Sequence, residues 1–124
     1  MLKPADGVEG FKKFVVDTVK LAGSNPCPPV VVGVGLGGTI EKCALEAKKA
    51  LLMPMDQPNP DAFYGEKEAA LLTHINRLGI GPQGMGGRTT ALAVHIRPSA
   101  THIAGLPCVV NMSCHATRHA SGKL

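Results

Sequence analysis

Aromatic residues are scarce in this 124-residue sequence, which has no tryptophan, one tyrosine and three phenylalanines. A core must therefore be built from Val, Leu, Ile and Ala, and these residues suit a sheet packed against helices. The sequence also lacks an apolar run of about 18 residues and an apolar segment behind its first methionine, so we expect neither a transmembrane helix nor a signal peptide. We predict a single domain over residues 1–124, located in the cytoplasm.

Runs of like charge are absent as well. The net charge of +4 comes from 13 basic and 9 acidic residues that are scattered along the chain. This distribution argues against a nucleic-acid partner. It suits a small acidic substrate such as a dicarboxylate, although solvated surface lysines are the simpler explanation.

The four cysteines contain no Cys-x-x-Cys pair, which excludes the common zinc-ribbon and redox patterns. In a reducing compartment, cysteines are more often buried, catalytic or metal-bound than disulfide-bonded. Cys43 belongs to the apolar stripe of a predicted helix and is interpreted as a small buried residue. Cys108 lies six residues before Cys114 in one predicted strand, about 20 Å away along extended chain, so it is interpreted as structural. Cys27 and Cys114 each lie where an apolar strand meets a turn, a frequent location of ligand-binding residues.

Apolar periodicity predicts both helices and strands. Asp6 and Glu9 are spaced as a capping box for the first helix, Thr39 is expected to cap the second, and Asn59-Pro60 to begin the third. The expected fold class is α/β, with a mixed sheet and helices packed against it. The first predicted helix spans residues 7–22, the second follows Thr39 and is closed by Pro54, and the third follows Asn59 and ends at Gly79. The predicted strands span residues 30–34, 89–96 and 108–112.

Two glycine-rich segments invite competing interpretations. Residues 33–38 satisfy G-x-G-x-x-G between a strand and a helix, with Asp56 about 20 residues further on, as in dinucleotide-binding loops. Asp56, however, lies in a proline-rich connector and the next residues are helical, so the expected βαβ unit is not completed. Residues 79–87 contain five glycines, which indicates either close approach of the backbone to a ligand or a mobile connector.

Several motifs in order resemble one family. They are Asn25-Pro26-Cys27-Pro28-Pro29, the glycine-rich segments 33–38 and 79–87, and the closing stretch from Val109 to His119, which contains Asn111-Met112-Ser113-Cys114-His115. Over nearly the whole chain the sequence resembles the alpha region of the iron–sulfur fumarate hydratases and tartrate dehydratases, the class I fumarases. The Cys-Gln-Asp-Thr-Gly motif of that family does not occur here. The resemblance therefore implies the C-terminal part of an alpha region, a fragment of a larger domain that is inactive alone.

The resemblance implies a [4Fe–4S] cluster, with Cys27 and Cys114 as two of its ligands and the third ligand outside this chain. It implies a hydro-lyase that adds water to, or removes it from, a small dicarboxylate, either fumarate to malate or tartrate dehydration. The expected partners are the preceding alpha segment and a beta region or subunit, in an oligomer. His102 matches a family position near the substrate, where an imidazole would donate to a carboxylate.

Other polar residues keep their simpler interpretations. His115 and His119 have the i, i+4 spacing of a zinc pair on a helix, but positioning the turn after Cys114 explains them better. Arg118 is either a cation that offsets thiolate charge or a plain surface arginine. Two rival functions stay open: a nucleotide-binding module that uses Gly33–Gly38, and a non-catalytic domain whose glycine loops serve assembly.

Overall fold

The computed structural model describes residues 1–124, which form three helices and three strands. The helices are α1 (Gly7–Ala22), α2 (Ile40–Ala50) and α3 (Ala62–Asn76), and the strands are β1 (Val30–Leu36), β2 (Ala91–Pro98) and β3 (Cys108–Met112). Short 3₁₀ turns cover Pro4–Asp6, Pro82–Gly84 and His115–Thr117. No helix combines the length and the apolar character that a membrane crossing requires.

The three strands form one mixed sheet in the order β2-β1-β3, which confirms the predicted α/β fold class. β1 and β2 are parallel, with Val30 opposite Ala91 and Leu36 opposite Pro98. β1 and β3 are antiparallel, and Leu36 lies opposite Cys108. Asp56 lies in the connector between α2 and α3, as expected, and not at the end of a second strand. The parallel connection from β1 to β2 is nevertheless completed, but through two helices rather than one.

The central strand separates two helical layers. Val30, Val32 and Val34 are almost completely buried in a cluster with α1 and α3 residues. The alternate residues Gly33 and Gly35 face α2, since side chains on a strand alternate between its faces. The sheet is therefore sandwiched between α1 and α3 on one side and α2 on the other.

The two strand glycines permit close packing of α2. A Cβ atom on Gly35 would lie 2.0 Å from the carbonyl oxygen of Cys43, and one on Gly33 would lie 2.4 Å from that of Ala47. Cys43 and Ala47 are completely buried in this contact. The burial of Cys43 agrees with its predicted place on the apolar stripe of the helix. The first two glycines of the G-x-G-x-x-G pattern thus have a packing role that needs no nucleotide.

One predicted helix cap and one predicted helix start differ from the structure. Asp6 does not cap α1, because its carboxylate accepts a hydrogen bond from the Lys3 amide (2.7 Å) in the preceding 3₁₀ turn. α3 begins at Ala62, where the Asp61 carboxylate accepts the Phe63 amide (2.9 Å). The Thr39 hydroxyl does cap α2, as predicted.

Asn59 instead helps to cover the free edge of β2. Its amide group donates to the Glu68 carboxylate (2.7 Å) and to the carbonyl of Ile96 (3.1 Å). The same Glu68 carboxylate accepts the Ile96 amide (2.7 Å). Asn76, two turns further along α3, bonds both the amide and the carbonyl of Ala91. Side chains of α3 and its connector therefore satisfy backbone groups that an edge strand would otherwise expose.

Candidate site at one end of the sheet

The antiparallel register brings Cys27 and Cys114 to the same end of the sheet. β1 starts three residues after Cys27, and β3 ends two residues before Cys114. Between them the pairing continues, because the Val31 amide donates to the Ser113 hydroxyl (2.8 Å) and the Ser113 amide donates to the Val31 carbonyl (2.9 Å). We call this edge, where β1 begins and β3 ends, the cysteine end.

The segment from Ser24 to Pro29, here called the Cys27 turn, holds its cysteine in an unusual conformation. Cys27 has φ 55°, a left-handed conformation that costs a non-glycine residue free energy and is concentrated at functional sites. Its amide closes the turn on the Ser24 carbonyl (2.9 Å). Its sulfur has only a weak contact, 4.0 Å to the Asn25 carbonyl. The thiol is therefore partly exposed and free to bind a ligand.

Arg118 ties the segment after β3 to this turn. Its guanidinium donates to the carbonyl of Cys27 (3.1 Å) and to that of Pro29 (2.6 Å). Cys114 lies at the start of this segment, with its sulfur 3.5 Å from Nδ1 of His115. Arg118 is thus more than a simple surface residue, because it holds the backbone on both sides of Pro28 beside Cys27.

The loop at residues 79–87, here called the glycine loop, forms the other side of the Cys27 turn. The Gln83 amide donates to the Pro28 carbonyl (2.7 Å), and a Cβ on Gly84 would lie 2.3 Å from Cβ of Ser24. Gln83 has φ 56°, and it and Cys27 are the two non-glycine residues of the chain with positive φ. The sequence pattern allowed close approach to a ligand or a mobile connector, whereas the structure shows close approach to the Cys27 turn.

The other two cysteines are buried away from this site. Cys43 is 0% exposed and Cys108 is 5% exposed. Burial raises the pKa of the Cys43 thiol and raises that of Cys108 to about 12, so both stay protonated at neutral pH. Cys108 lies opposite Leu36, at the far end of β1. β3 ends at Met112, at the predicted limit of the strand, so Cys114 lies beyond it and not in one strand with Cys108.

His102 lies at the opposite end of the sheet. Its connection follows β2, and the neighbouring Thr101 hydroxyl contacts the Gly38 carbonyl (3.5 Å), just beyond the last residue of β1. The length of β1 separates this connection from the cysteine end by about 20 Å. The His102 side chain is exposed, and its Nδ1 accepts the Ala104 amide (3.1 Å). The structure does not bring His102 together with Cys27 and Cys114.

The remaining histidines form no metal site. His115 lies in a 3₁₀ turn and His119 beyond it, so the helical i, i+4 arrangement is not formed. His95 is buried in β2 with both ring nitrogens unbonded, and its Nδ1 is 4.0 Å from the Glu68 carboxylate. Burial lowers the pKa of His95 and the Glu68 charge partly opposes this, so the ring is neutral at pH 7. No group of three or more His, Cys, Asp or Glu side chains is placed to hold a metal ion.

The cysteine end fits part of an iron–sulfur ligand set. Two thiols with no strong protein partner lie at one open end, and the chain has no third accessible thiol there. Cysteine thiolates are the usual ligands of such clusters. Cys27 and Cys114 therefore offer two of the ligand groups that such a cluster uses.

These features define an α/β domain with two accessible thiols at one end of its sheet. The family model for fumarate hydratase (Fumerase) matches residues 1–123, and the chain belongs to this family. It is 48% identical over 120 residues to the putative L(+)-tartrate dehydratase subunit alpha of Methanocaldococcus jannaschii, covering 97% of this chain and 42% of that protein. It is 38% identical over 121 residues to the L(+)-tartrate dehydratase subunit alpha of Escherichia coli, covering 98% of this chain and 40% of that subunit. The chain thus spans about two fifths of the length of these curated relatives.

Proposed function

We propose that the chain forms part of a cytoplasmic iron–sulfur hydro-lyase that adds water to, or removes it from, a small dicarboxylate. Cys27 and Cys114 would be two thiolate ligands of a [4Fe–4S] cluster. The observation that carries this proposal is that these two cysteines, distant in sequence, lie at the same end of the sheet, where Arg118 joins their two segments. The relatives are named alpha subunits of tartrate dehydratases, which supports a second subunit as partner.

When bound, a cluster held by three protein thiolates has one iron open to act as a Lewis acid on a substrate hydroxyl. This chain's contribution would be to fix the positions of two thiolates. Arg118 and Gln83 both bond carbonyls of the Cys27 turn, so the turn is restrained from two sides. Such restraint supports a rigid position for the Cys27 thiolate, because the turn loses its conformational entropy when the chain folds and not when the cluster binds.

The third thiolate would come from another segment or subunit, because Cys43 and Cys108 are buried elsewhere. Their raised pKa values make them poor thiolate donors at neutral pH. The chain alone, reconstituted with iron and sulfide, should therefore show no turnover of fumarate, malate or tartrate. Turnover by the chain alone would contradict this division of the site.

His102 is proposed to bind a substrate carboxylate. Because its Nδ1 accepts the Ala104 amide, the neutral ring carries its proton on Nε2, which is then free to donate. A four-carbon dicarboxylate is far shorter than the distance of about 20 Å between His102 and the cysteine end. His102 and the two cysteines of one copy therefore do not contact the same substrate molecule, so a shared active site needs a second polypeptide or copy.

The ligand assignment is tested in the whole enzyme that contains this chain. Cys27→Ser and Cys114→Ser should each abolish the visible absorbance of the cluster after anaerobic reconstitution. The matched control is Cys43→Ser, which should keep the cluster but lower the free energy of unfolding by about 1–3 kcal/mol, because it buries a hydroxyl. Equal loss of cluster absorbance in all three variants would contradict the assignment.

A further inference from the structure

Two of the chain's four arginines have no partner in the fold. Arg97 pairs with the Glu46 carboxylate and Arg118 clamps the Cys27 turn. Arg77, which follows α3, and Arg88, which follows the glycine loop, make no side-chain hydrogen bond or ion pair and are exposed. Both residues nevertheless line the same cavity.

This cavity has a volume of about 470 Å³ and lies between the end of α3 and the base of the glycine loop. None of its lining residues is apolar and none is acidic; they are Thr73, Asn76, Arg77, Gly79, Gly87 and Arg88. The volume is in the range of small-molecule sites, and the four lining residues other than glycine have polar or charged side chains. The side chains that could bind a ligand here do so through charge and hydrogen bonds, because none of them is hydrophobic.

The other side chains in the cavity are already occupied. The Thr73 hydroxyl donates to the Ala69 carbonyl (3.0 Å), and the Asn76 amide group bonds the backbone around Ala91. The amide groups of Gly87 and Arg88, by contrast, donate to no acceptor in the chain. The residues around this open cavity therefore include two arginines without a partner and two backbone amides without an acceptor in the chain.

Position at a helix C-terminus accounts for only one of the two arginines. Arg77 caps α3, where a cation interacts favourably with the helix dipole. Arg88 comes from a different element and has no such role. Neighbouring cations repel each other, so their placement without a carboxylate between them favours an anion as the missing partner.

We propose that this cavity binds a small oxyanion with at least two negative charges, either a phosphate compound or a dicarboxylate. Arg77 and Arg88 would each offer a planar pair of donors, the geometry that guanidinium groups use for phosphate and carboxylate. The cavity contains neither Cys27 nor Cys114, so this site is independent of the proposed cluster. Its test needs no cluster and no catalysis.

The test is titration of the chain with inorganic phosphate, pyrophosphate and L(+)-tartrate at constant ionic strength. Calorimetry gives the Kd, and amide chemical shifts locate the ligand. We expect saturable binding of at least one anion, with the largest shifts at the Gly87 and Arg88 amides. Comparison of the phosphates with tartrate decides which source of oxyanion the cavity prefers.

Variants separate a specific site from general attraction to a basic protein. Arg77→Gln and Arg88→Gln should each weaken binding roughly tenfold or more, since each removes a charge-assisted contact. Lys48→Gln removes the same charge from an exposed, unpaired position on α2 and should leave the Kd unchanged. No saturable binding at millimolar anion, or equal effects of Lys48→Gln and the arginine variants, would overturn the proposal.

Discussion

Replacing Gly35 with alanine tests whether the G-x-G-x-x-G segment serves packing or a ligand. The added Cβ would lie 2.0 Å from the Cys43 carbonyl oxygen and 3.0 Å from the amide nitrogen of Ala47. Both contacts are with backbone atoms of α2, so no side-chain rotation relieves them. The helix must move away from the sheet, which opens the buried contact around Cys43.

Overpacking of a core typically costs about 1–3 kcal/mol, and a clash between backbone elements belongs at the upper end. We therefore expect Gly35→Ala to lower the free energy of unfolding by about 3 kcal/mol. At about 4 °C per kcal/mol for a domain of this size, Tm should fall by roughly 12 °C. Thermal and urea unfolding followed by circular dichroism measure both quantities.

Gly105→Ala is the matched control. Gly105 has an ordinary φ, and nothing lies within 4 Å of an added Cβ. This variant should be neutral, or more stable by up to about 1 kcal/mol because alanine restricts the unfolded chain. Equal stability of the two variants would refute the packing argument. A rise in Tm when a dinucleotide is added to the unmodified chain would refute it as well and revive the nucleotide-binding interpretation.

Two further predictions concern reactive side chains. At pH 8, iodoacetamide should alkylate Cys27 and Cys114 in the folded chain but not Cys108, because burial raises the pKa of Cys108 to about 12. Mass spectrometry of the labelled peptides measures the three rates. A similar rate for Cys108 would contradict this prediction. In the whole enzyme, His102→Asn should preserve the iron content but reduce kcat/KM by roughly 10²-fold, since a charge-assisted hydrogen bond is worth about 1.5–3 kcal/mol. An unchanged kcat/KM at full cluster occupancy would make His102 a structural residue.

Elements with strong local patterns were predictable from the sequence. The period of apolar residues gave α1 its observed limits, and the run of β-branched residues placed β1, although it extends two residues further than predicted. The start of α3 was wrong for a physical reason. Asn59 has the chemistry of a helix cap, but its side chain bonds Glu68 and Ile96, which are distant in sequence. Local pattern cannot report such competition from tertiary contacts.

The site was predictable only in part. Cys27 and Cys114 could be proposed from strand ends and family motifs, but their meeting depends on the antiparallel register of β1 and β3. The support of the Cys27 turn by Gln83 was not foreseen, although five glycines in nine residues signalled an unusual backbone there. The G-x-G-x-x-G pattern misled because close approach of a helix and close approach of a phosphate both require glycine after a strand.

The length of β1 constrains how the proposed active site can be assembled. Loops that join strands gather at the two ends of a sheet, and in this chain the proposed ligands and the proposed substrate contact occupy opposite ends. A rigid strand whose residues 30, 32 and 34 are fully packed does not shorten, so motion within the domain does not bring His102 to the cysteines. On the two proposed assignments, each copy of this domain would contribute to two separate places, and a further segment or subunit would complete the site at each end.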